Sequence, residues 1–143
     1  MEVEVIFQLF LATVLGALIG LEREIKRKEA GLQTYSLVTL GTCLFTIISS
    51  ELFNSFIGNP NISFEPSGII SAITIGIGFI GAGAIFRQPS GIVGLTTAAG
   101  LWTAAAIGVA AGAKLYFLAI FSTFLTLLVL AGLGLLEEKI FKR

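Results

Sequence analysis

Five stretches of this sequence contain no charged residue, and no other feature constrains the fold as strongly. They are residues 5–21, 35–50, 69–86, 92–113 and 115–136. All nine basic and nine acidic residues lie between these stretches or near the termini. The hydrocarbon core of a bilayer is about 30 Å thick, a distance that about 20 helical residues cross. The spacing therefore predicts an all-α polytopic membrane protein, a bundle of five transmembrane helices.

The composition agrees with this class. Only 13% of the 143 residues are charged, whereas an ordinary soluble domain has about 25%. A soluble helical bundle would carry charges on the outer face of every helix. The net charge is zero, which argues against nucleic acid as a partner. We therefore expect a single domain over residues 1–143, without a soluble C-terminal domain, whose first partner is the lipid bilayer.

The third charge-free stretch has two interpretations. Arg87, Pro89 and Gly91 interrupt the path from this stretch to the fourth. The stretch is therefore either a full membrane span or a re-entrant segment.

The basic residues predict the orientation of the chain, because such residues concentrate in cytoplasmic loops. Eight of the nine lie after the first stretch, after the third, or at the C-terminus. With five spans, those three segments share one side. The opposite side receives Lys114 and several glutamates, including Glu2 and Glu4. We expect the N-terminus outside and the C-terminus inside.

Glycines predict how the helices pack. Gly16 and Gly20 form one G-x-x-x-G pair, Gly108 and Gly112 another, and the third stretch is also rich in glycine. Small residues let helix backbones approach each other in lipid. We expect the third and fourth helices at the centre and the Leu- and Phe-rich fifth helix facing lipid. The glycines either serve packing alone or also expose backbone groups to a narrow cavity.

Local signals set the helix ends. Glu22/Lys26 and Glu24/Lys28 are spaced for i, i+4 ion pairs, so the first helix should extend about two turns beyond the membrane, to Gly31. Residues 54–67 are predicted to form an extracytoplasmic loop. The short turn at residues 112–114 should make the fourth and fifth helices antiparallel neighbours.

A short sequence repeat suggests an internal duplication. The G-L-x-T corner at residues 31–34 opens the second helix, and a similar corner at residues 94–97 opens the fourth. Both hairpins would have the same topology, so a duplication would give parallel repeats. We expect the two corners side by side at the cytoplasmic face.

This arrangement defines a candidate functional cluster near two helix N-termini, which carry free amides and a partial positive charge. In one interpretation it is a structural clasp in which Arg87 neutralises Glu22. In the other it is a binding vestibule for an ion, a headgroup or a partner peptide. The candidate residues are Glu22, Arg23, Gln33, Thr34, Arg87, Thr96, Thr97, Trp102 and Thr103.

The sequence lacks the residues that several kinds of catalytic and metal site require. The sequence has no histidine, no aspartate and one cysteine, Cys43, which argues against a zinc site, a disulfide within the chain and a hydrolytic triad. We expect no enzyme, cofactor or resident metal. Mg²⁺ prefers carboxylate oxygens, yet no acidic residue lies inside the five stretches. A pathway for a weakly hydrated ion would have to be lined by carbonyls and threonines, and we expect it at an oligomer interface.

The sequence resembles the MgtC/SapB family of bacterial inner-membrane proteins from about residue 10 to 112. The similarity is carried by the segments at residues 16–23, 31–34, 78–83 and 94–102, together with Arg87. At Thr96 and Thr103 the family pattern often has Asn and Cys. The resemblance implies a multi-pass protein of the bacterial plasma membrane. Members have been linked to growth at low magnesium, survival inside host cells and modulation of membrane proteins such as the F-type ATP synthase.

Two functions follow from this resemblance and from the residues. One is a small membrane protein of cation homeostasis that regulates other membrane proteins. The alternative is an oligomeric ion transporter or channel. Candidate partners are other membrane proteins and further copies of this chain.

Overall fold

The computed structural model describes residues 2–56, 66–89 and 91–141. Within them, five helices are long and apolar enough to cross a membrane, which confirms the predicted fold class; the fifth, Tyr116–Leu136, contains a π-helical turn. Part of the predicted loop at residues 54–67 lies outside the described residues. In chain order the elements are α1 (Glu2–Ile25), α2 (Leu32–Phe56), α3 (Pro66–Ala84), β1 (Phe86–Gln88), β2 (Gly91–Val93), α4 (Leu95–Gly112), α5 (Tyr116–Leu127), a π-helical turn (Leu128–Leu133) and α6 (Gly134–Phe141).

Helix α4 is the centre of the bundle. It contacts α1, α2, α3 and α5, and 56% of its residues are buried. Its side chains are mostly Ala, Gly and Thr, so neighbouring helices can approach it on several faces. The turn after α4 is closed by Lys114, whose φ is 63°, and the predicted contact between α4 and α5 is present.

The prediction that α3 shares the centre is wrong. Only 11% of its residues are buried, and Gly76, Gly78 and Gly83 have open space where a side chain would project. Helix α3 nevertheless runs unbroken for 19 residues, the length of a full span. A short antiparallel hairpin of β1 and β2 then connects it to α4.

The two G-x-x-x-G pairs serve close packing, which both interpretations of the glycines included. A Cβ on Gly16 would lie 2.6 Å from the Tyr35 carbonyl oxygen of α2, and one on Gly112 would lie 2.7 Å from the Cys43 carbonyl oxygen. Helix α2 is thus held between α1 and α4. Its threonines at positions 39, 42 and 46 donate to carbonyls of their own helix; Thr46, for example, bonds the Thr42 carbonyl at 2.8 Å.

Helix α1 ends earlier than predicted. It stops at Ile25, and Arg27 adopts a left-handed conformation with φ of 50°. The Lys28 amide donates to the Arg23 carbonyl and the Arg27 amide donates to the Glu24 carbonyl. This pattern is a Schellman motif, which closes the last turn of a helix. The chain therefore turns directly into α2 instead of extending the helix to Gly31.

Candidate functional site

The end of the bundle where α1 stops and α2 and α4 begin carries a set of interacting charged side chains; we call it the basic end. The two G-L-x-T corners meet at this end, as predicted. Tyr35, the residue after Thr34, donates a 3.2 Å hydrogen bond to the Thr97 carbonyl. Helices α2 and α4 therefore start side by side.

Arg23 is buried at the basic end, with only 2% of its surface exposed. Its guanidinium binds the neighbouring carboxylate of Glu22 through two nitrogens, Nε and Nη2, the latter at 2.8 Å. Lys26 bonds the same carboxylate at 3.0 Å, which confirms the predicted Glu22/Lys26 pair. A forked arginine pairing of this kind offsets the cost of removing a charge from water.

The π-helical turn supplies a further acceptor for both cations. The Leu130 carbonyl accepts a hydrogen bond of 3.3 Å from Arg23 Nη2 and one of 3.1 Å from Lys26 Nζ. A π-helical turn changes the α-helical bonding pattern and occurs often at functional sites. The end of α1 is thereby tied to the continuation of α5.

A second contact joins the loop after α1 to α4. The Thr97 hydroxyl donates a 2.6 Å hydrogen bond to the Glu29 carboxylate. This bond and one from Glu29's own amide lower the pKa of Glu29; burial opposes the effect and the nearby charges of Lys28 and Arg23 add to it. Thr97 is buried, whereas Glu29 is exposed. The carboxylate therefore stays ionised at neutral pH.

The N-terminus of α2 is occupied by a carboxylate of the same chain. The Leu32 amide donates a 3.1 Å hydrogen bond to Glu24, so Glu24 does not form the predicted pair with Lys28. A carboxylate satisfies the free amides and complements the partial positive charge of a helix start. The cluster thus has the features of the clasp interpretation, with partners that differ from those predicted.

Arg87 is not part of this cluster. It lies in the exposed strand β1, and Glu22 is paired with Arg23 and Lys26. The predicted neutralisation of Glu22 by Arg87 is therefore wrong. Sequence reasoning had no means of seeing that Arg87 would lie in an exposed hairpin strand.

The other candidate residues are divided between two regions. Gln33 and Thr96 are exposed at the first turns of α2 and α4, and Thr34 is half-buried. Trp102 and Thr103 lie further along α4. Trp102 faces a cleft beside α3, while the Thr103 hydroxyl bonds the Ala99 carbonyl of its own helix.

Sequence reasoning missed an important polar residue at the opposite end. Gln8 of α1 is almost completely buried, and its amide donates to the Ala111 and Gly112 carbonyls at 3.2 and 2.8 Å. These carbonyls belong to the last turn of α4, where the helix supplies no further backbone amide donors for its carbonyls. An amide side chain within a charge-free stretch was the available signal, because buried amides bridge membrane helices.

An exposed ion pair lies near Gln8. Lys114 Nζ is 2.9 Å from the Glu4 carboxylate, and this bond raises the pKa of Lys114.

Among the described residues, no group of three or more His, Cys, Asp or Glu side chains could hold a metal ion.

The family can now be identified from comparison with known proteins. The model of the MgtC family matches residues 9–139, from the first turns of α1 into α6. The chain belongs to the MgtC family. The match includes every element of the basic end described above.

Curated relatives agree with this assignment. The chain is 42% identical over 130 residues to "Putative magnesium transporter YhiD" of Escherichia coli, covering 91% of this chain and 60% of the relative. It is 40% identical over 114 residues to Protein SapB of Bacillus subtilis, covering 79% and 49%. It is 41% identical over 104 residues to Protein MgtC of Brucella abortus, covering 73% and 40%.

These MgtC-family relatives are longer than the chain. It spans 60% of the length of the Escherichia coli relative and about half that of the Bacillus subtilis one. No solved structure matches the chain.

Proposed function

We propose that this protein acts in magnesium homeostasis in the bacterial inner membrane by contacting and regulating other membrane proteins. Its membership of the MgtC family and its five candidate spans support this role. Helical spans satisfy their backbone polar groups within each helix, as any bilayer requires, and we propose the inner membrane from membership of the family. The proposed orientation has the N-terminus outside and the basic end in the cytoplasm, because basic loops are retained there.

The observation that carries the regulatory role is the fixed positive charge at the basic end. Arg23 is buried and bound to both Glu22 and the Leu130 carbonyl, and Lys26 shares the same two partners. A Mg²⁺ ion entering the bundle there would meet two cations held in place by hydrogen bonds. Mg²⁺ also keeps its waters and needs carboxylate oxygens, whereas the Glu22 carboxylate is already paired.

The helix interfaces support the same role. Gly16 lies against the Tyr35 carbonyl of α2, and Gly108 lies against Thr39 and Thr42. Such contacts bring the backbones together and fill the space between α1, α2 and α4. Helix α3, by contrast, leaves most of its surface outside the bundle, and this surface is available for contact with the helices of a partner.

Transport by an oligomer is the second candidate function. The printed name of the Escherichia coli relative describes magnesium transport. In an oligomer, the exposed glycines of α3 could line a path between copies, because they leave backbone groups accessible.

Ion flux into liposomes separates the two functions. The full chain is reconstituted with a magnesium-sensitive dye inside the vesicles, beside empty vesicles and vesicles carrying the Arg87→Gln variant. If the role is regulatory, vesicles that carry the wild-type protein or the variant should take up magnesium no faster than empty vesicles. In cells, deletion of the gene should still slow growth at low magnesium, and the full chain should restore it.

Two results would contradict the regulatory role. The first is a cation-selective flux that rises with the amount of wild-type protein and changes in Arg87→Gln. The second is normal growth of the deletion strain at low magnesium, which would remove the link to magnesium altogether.

A further inference from the structure

A lateral cleft between α3 and α4 lies apart from the basic end and has no part in the proposed function. Its volume is about 230 Å³. Helix α3 contributes Ile70, Ile73 and Ile77, and α4 contributes Trp102, Ala105 and Val109.

The cleft follows from the distribution of small residues along the two helices. Near the basic end, Gly81 of α3 faces Ala98 of α4, and a Cβ on Gly81 would lie 3.6 Å from the Ala98 Cβ. The glycine permits this close approach. Further along, isoleucines of α3 oppose Ala105 and Val109 across an unfilled gap.

The cleft has a buried floor and an open rim. Ile77 and Ala105 form the floor and are 6% and 2% exposed. Ile70 and Trp102 lie at the rim and are 52% and 55% exposed. Because α3 and α4 are candidate membrane spans, the rim opens sideways into the hydrocarbon of the bilayer.

The chemistry of the lining selects an apolar occupant. The Thr74 hydroxyl donates to the Ile70 carbonyl at 2.7 Å and is therefore not available as a donor to a ligand. The remaining lining side chains are aliphatic apart from the Trp102 indole. Nothing in this lining complements a charged headgroup, an ion or a peptide backbone.

We propose that this cleft binds one acyl chain of a membrane lipid. The two helices that form the cleft are candidate membrane spans, so the methylene chains of the surrounding bilayer reach its rim directly. Such a chain makes apolar contact with the isoleucine and alanine lining, and the gain is the dispersion contact that an empty cleft forfeits.

Trp102 makes the proposal directly measurable because it is the single tryptophan of the chain. The full chain is reconstituted in phosphatidylcholine vesicles that contain a lipid brominated in the middle of its acyl chain. Bromine quenches tryptophan fluorescence on contact. Competition by unbrominated lipids with shorter or longer chains then reports whether the site prefers one chain over another.

A matched control carries its tryptophan on the open surface of α3. Phe79 is 85% exposed. Along the helix axis it lies about 7 Å from the end of α3, and Trp102 lies about 10 Å from the start of α4, both measured from the basic end. In the double variant Trp102→Phe/Phe79→Trp, the probe therefore reports ordinary lipid contact at a similar depth. Two further variants retain Trp102: Ala106→Phe fills the cleft, and Ala72→Phe adds the same bulk to an exposed position of α3 outside it.

The expected result is a chain-length preference of about twofold or more at Trp102, the difference that a few additional carbon contacts make. This preference should be lost in Ala106→Phe, retained in Ala72→Phe and absent for the tryptophan at position 79. Quenching at both tryptophans without any preference would overturn the proposal. So would quenching at Trp102 that weakens as the protein-to-lipid ratio rises, because a second copy would then cover the cleft.

Discussion

The Thr97 hydroxyl and the Glu29 carboxylate, 68 residues apart in the chain, are joined by a 2.6 Å hydrogen bond. This bond attaches the loop after α1 to the first turn of α4, while the carbonyl of the same threonine accepts from Tyr35 of α2. One residue therefore connects three segments at the basic end. The strength of the bond to Glu29 depends on whether its carboxyl group is ionised.

Acid should weaken this connection. The pKa of Glu29 is lowered in the folded protein, from an ordinary value of about 4.5. A lowered pKa contributes stability above the unfolded-state value, and the contribution is lost as the pH falls through the folded-state value. Wild type should therefore be more stable than Thr97→Val at neutral pH, and the difference should shrink below about pH 4.5. Thermal unfolding in detergent over a range of pH measures this difference.

Thr96→Val is the control for the acid effect, because Thr96 is exposed one position earlier. The unfolding temperature of Thr96→Val should equal that of wild type at every pH. A difference between wild type and Thr97→Val that persists unchanged in acid would contradict the role of the ionised carboxylate.

Removing the buried guanidinium should be costly. Arg23→Gln deletes the forked bond to Glu22 and the bond to the Leu130 carbonyl. Breaking one partner of a buried pair costs about 3–5 kcal/mol, and Lys26 should recover part of this. The free energy of unfolding should fall by about 3 kcal/mol, measured by chemical denaturation in detergent. Arg27→Gln, at an exposed position, should change it by less than about 0.5 kcal/mol; equal effects would be inconsistent with this account.

Gln8 should stabilise the contact between α1 and α4. Gln8→Leu preserves the bulk of the side chain but removes the two hydrogen bonds to the end of α4. Hydrogen bonds between membrane helices contribute about 0.6–2 kcal/mol, so we expect a loss in that range by the same denaturation assay. Thr13→Val is the comparison on the same helix, because the Thr13 hydroxyl bonds only the local Leu9 carbonyl among the described residues. A loss as large in Thr13→Val would argue against a specific bridge.

Alanine should be harmful at packed glycines and harmless at exposed ones. In Gly108→Ala the new methyl group meets the Thr42 side chain and the Thr39 backbone, and overpacking of this kind costs about 1–3 kcal/mol. In Gly76→Ala it enters open space, and alanine favours helix by about 1 kcal/mol over glycine. Thermal unfolding should rank Gly76→Ala at or above wild type and Gly108→Ala below it. The reverse order would contradict the placement of α3 at the periphery.

The proposed orientation predicts opposite labelling of the two turns beside α4. In a Cys43→Ala background, Ala113→Cys and Gln88→Cys place a single thiol at either end of α4, both at exposed positions. A membrane-impermeant maleimide added to intact cells should label position 113 at once and position 88 only after permeabilisation. The reverse result would invert the topology.

The sequence predicted the helices well because a membrane imposes a simple requirement on them. Each span needs a long stretch without charge, since every exposed backbone group in lipid must be satisfied within the helix. The five stretches met this requirement; α1 to α4 occupy the first four, and α5 occupies the fifth together with the π-helical turn and the start of α6. The close contacts of Gly16 and Gly112 were also predicted, because small residues have one main use between membrane helices.

The partners at the basic end could not be predicted in the same way. Spacing favoured a Glu24/Lys28 pair, but Arg27 closes α1 early and turns Glu24 toward the Leu32 amide. One interpretation paired Arg87 with Glu22, but Arg87 lies in an exposed hairpin strand and Glu22 binds Arg23 and Lys26. Hydrogen bonds between distant segments depend on how the chain turns, and a turn of a few residues redirects every side chain near it.

What the sequence by itself determined is the class of the protein, the number of its spans and the end of the bundle at which its charges gather. These follow from charge and hydropathy, which act on each segment separately. Only the tertiary structure decided that α4 and not α3 is the centre, although both are rich in glycine. A glycine permits close approach without specifying the helix that approaches, and that choice depends on how all five helices pack together.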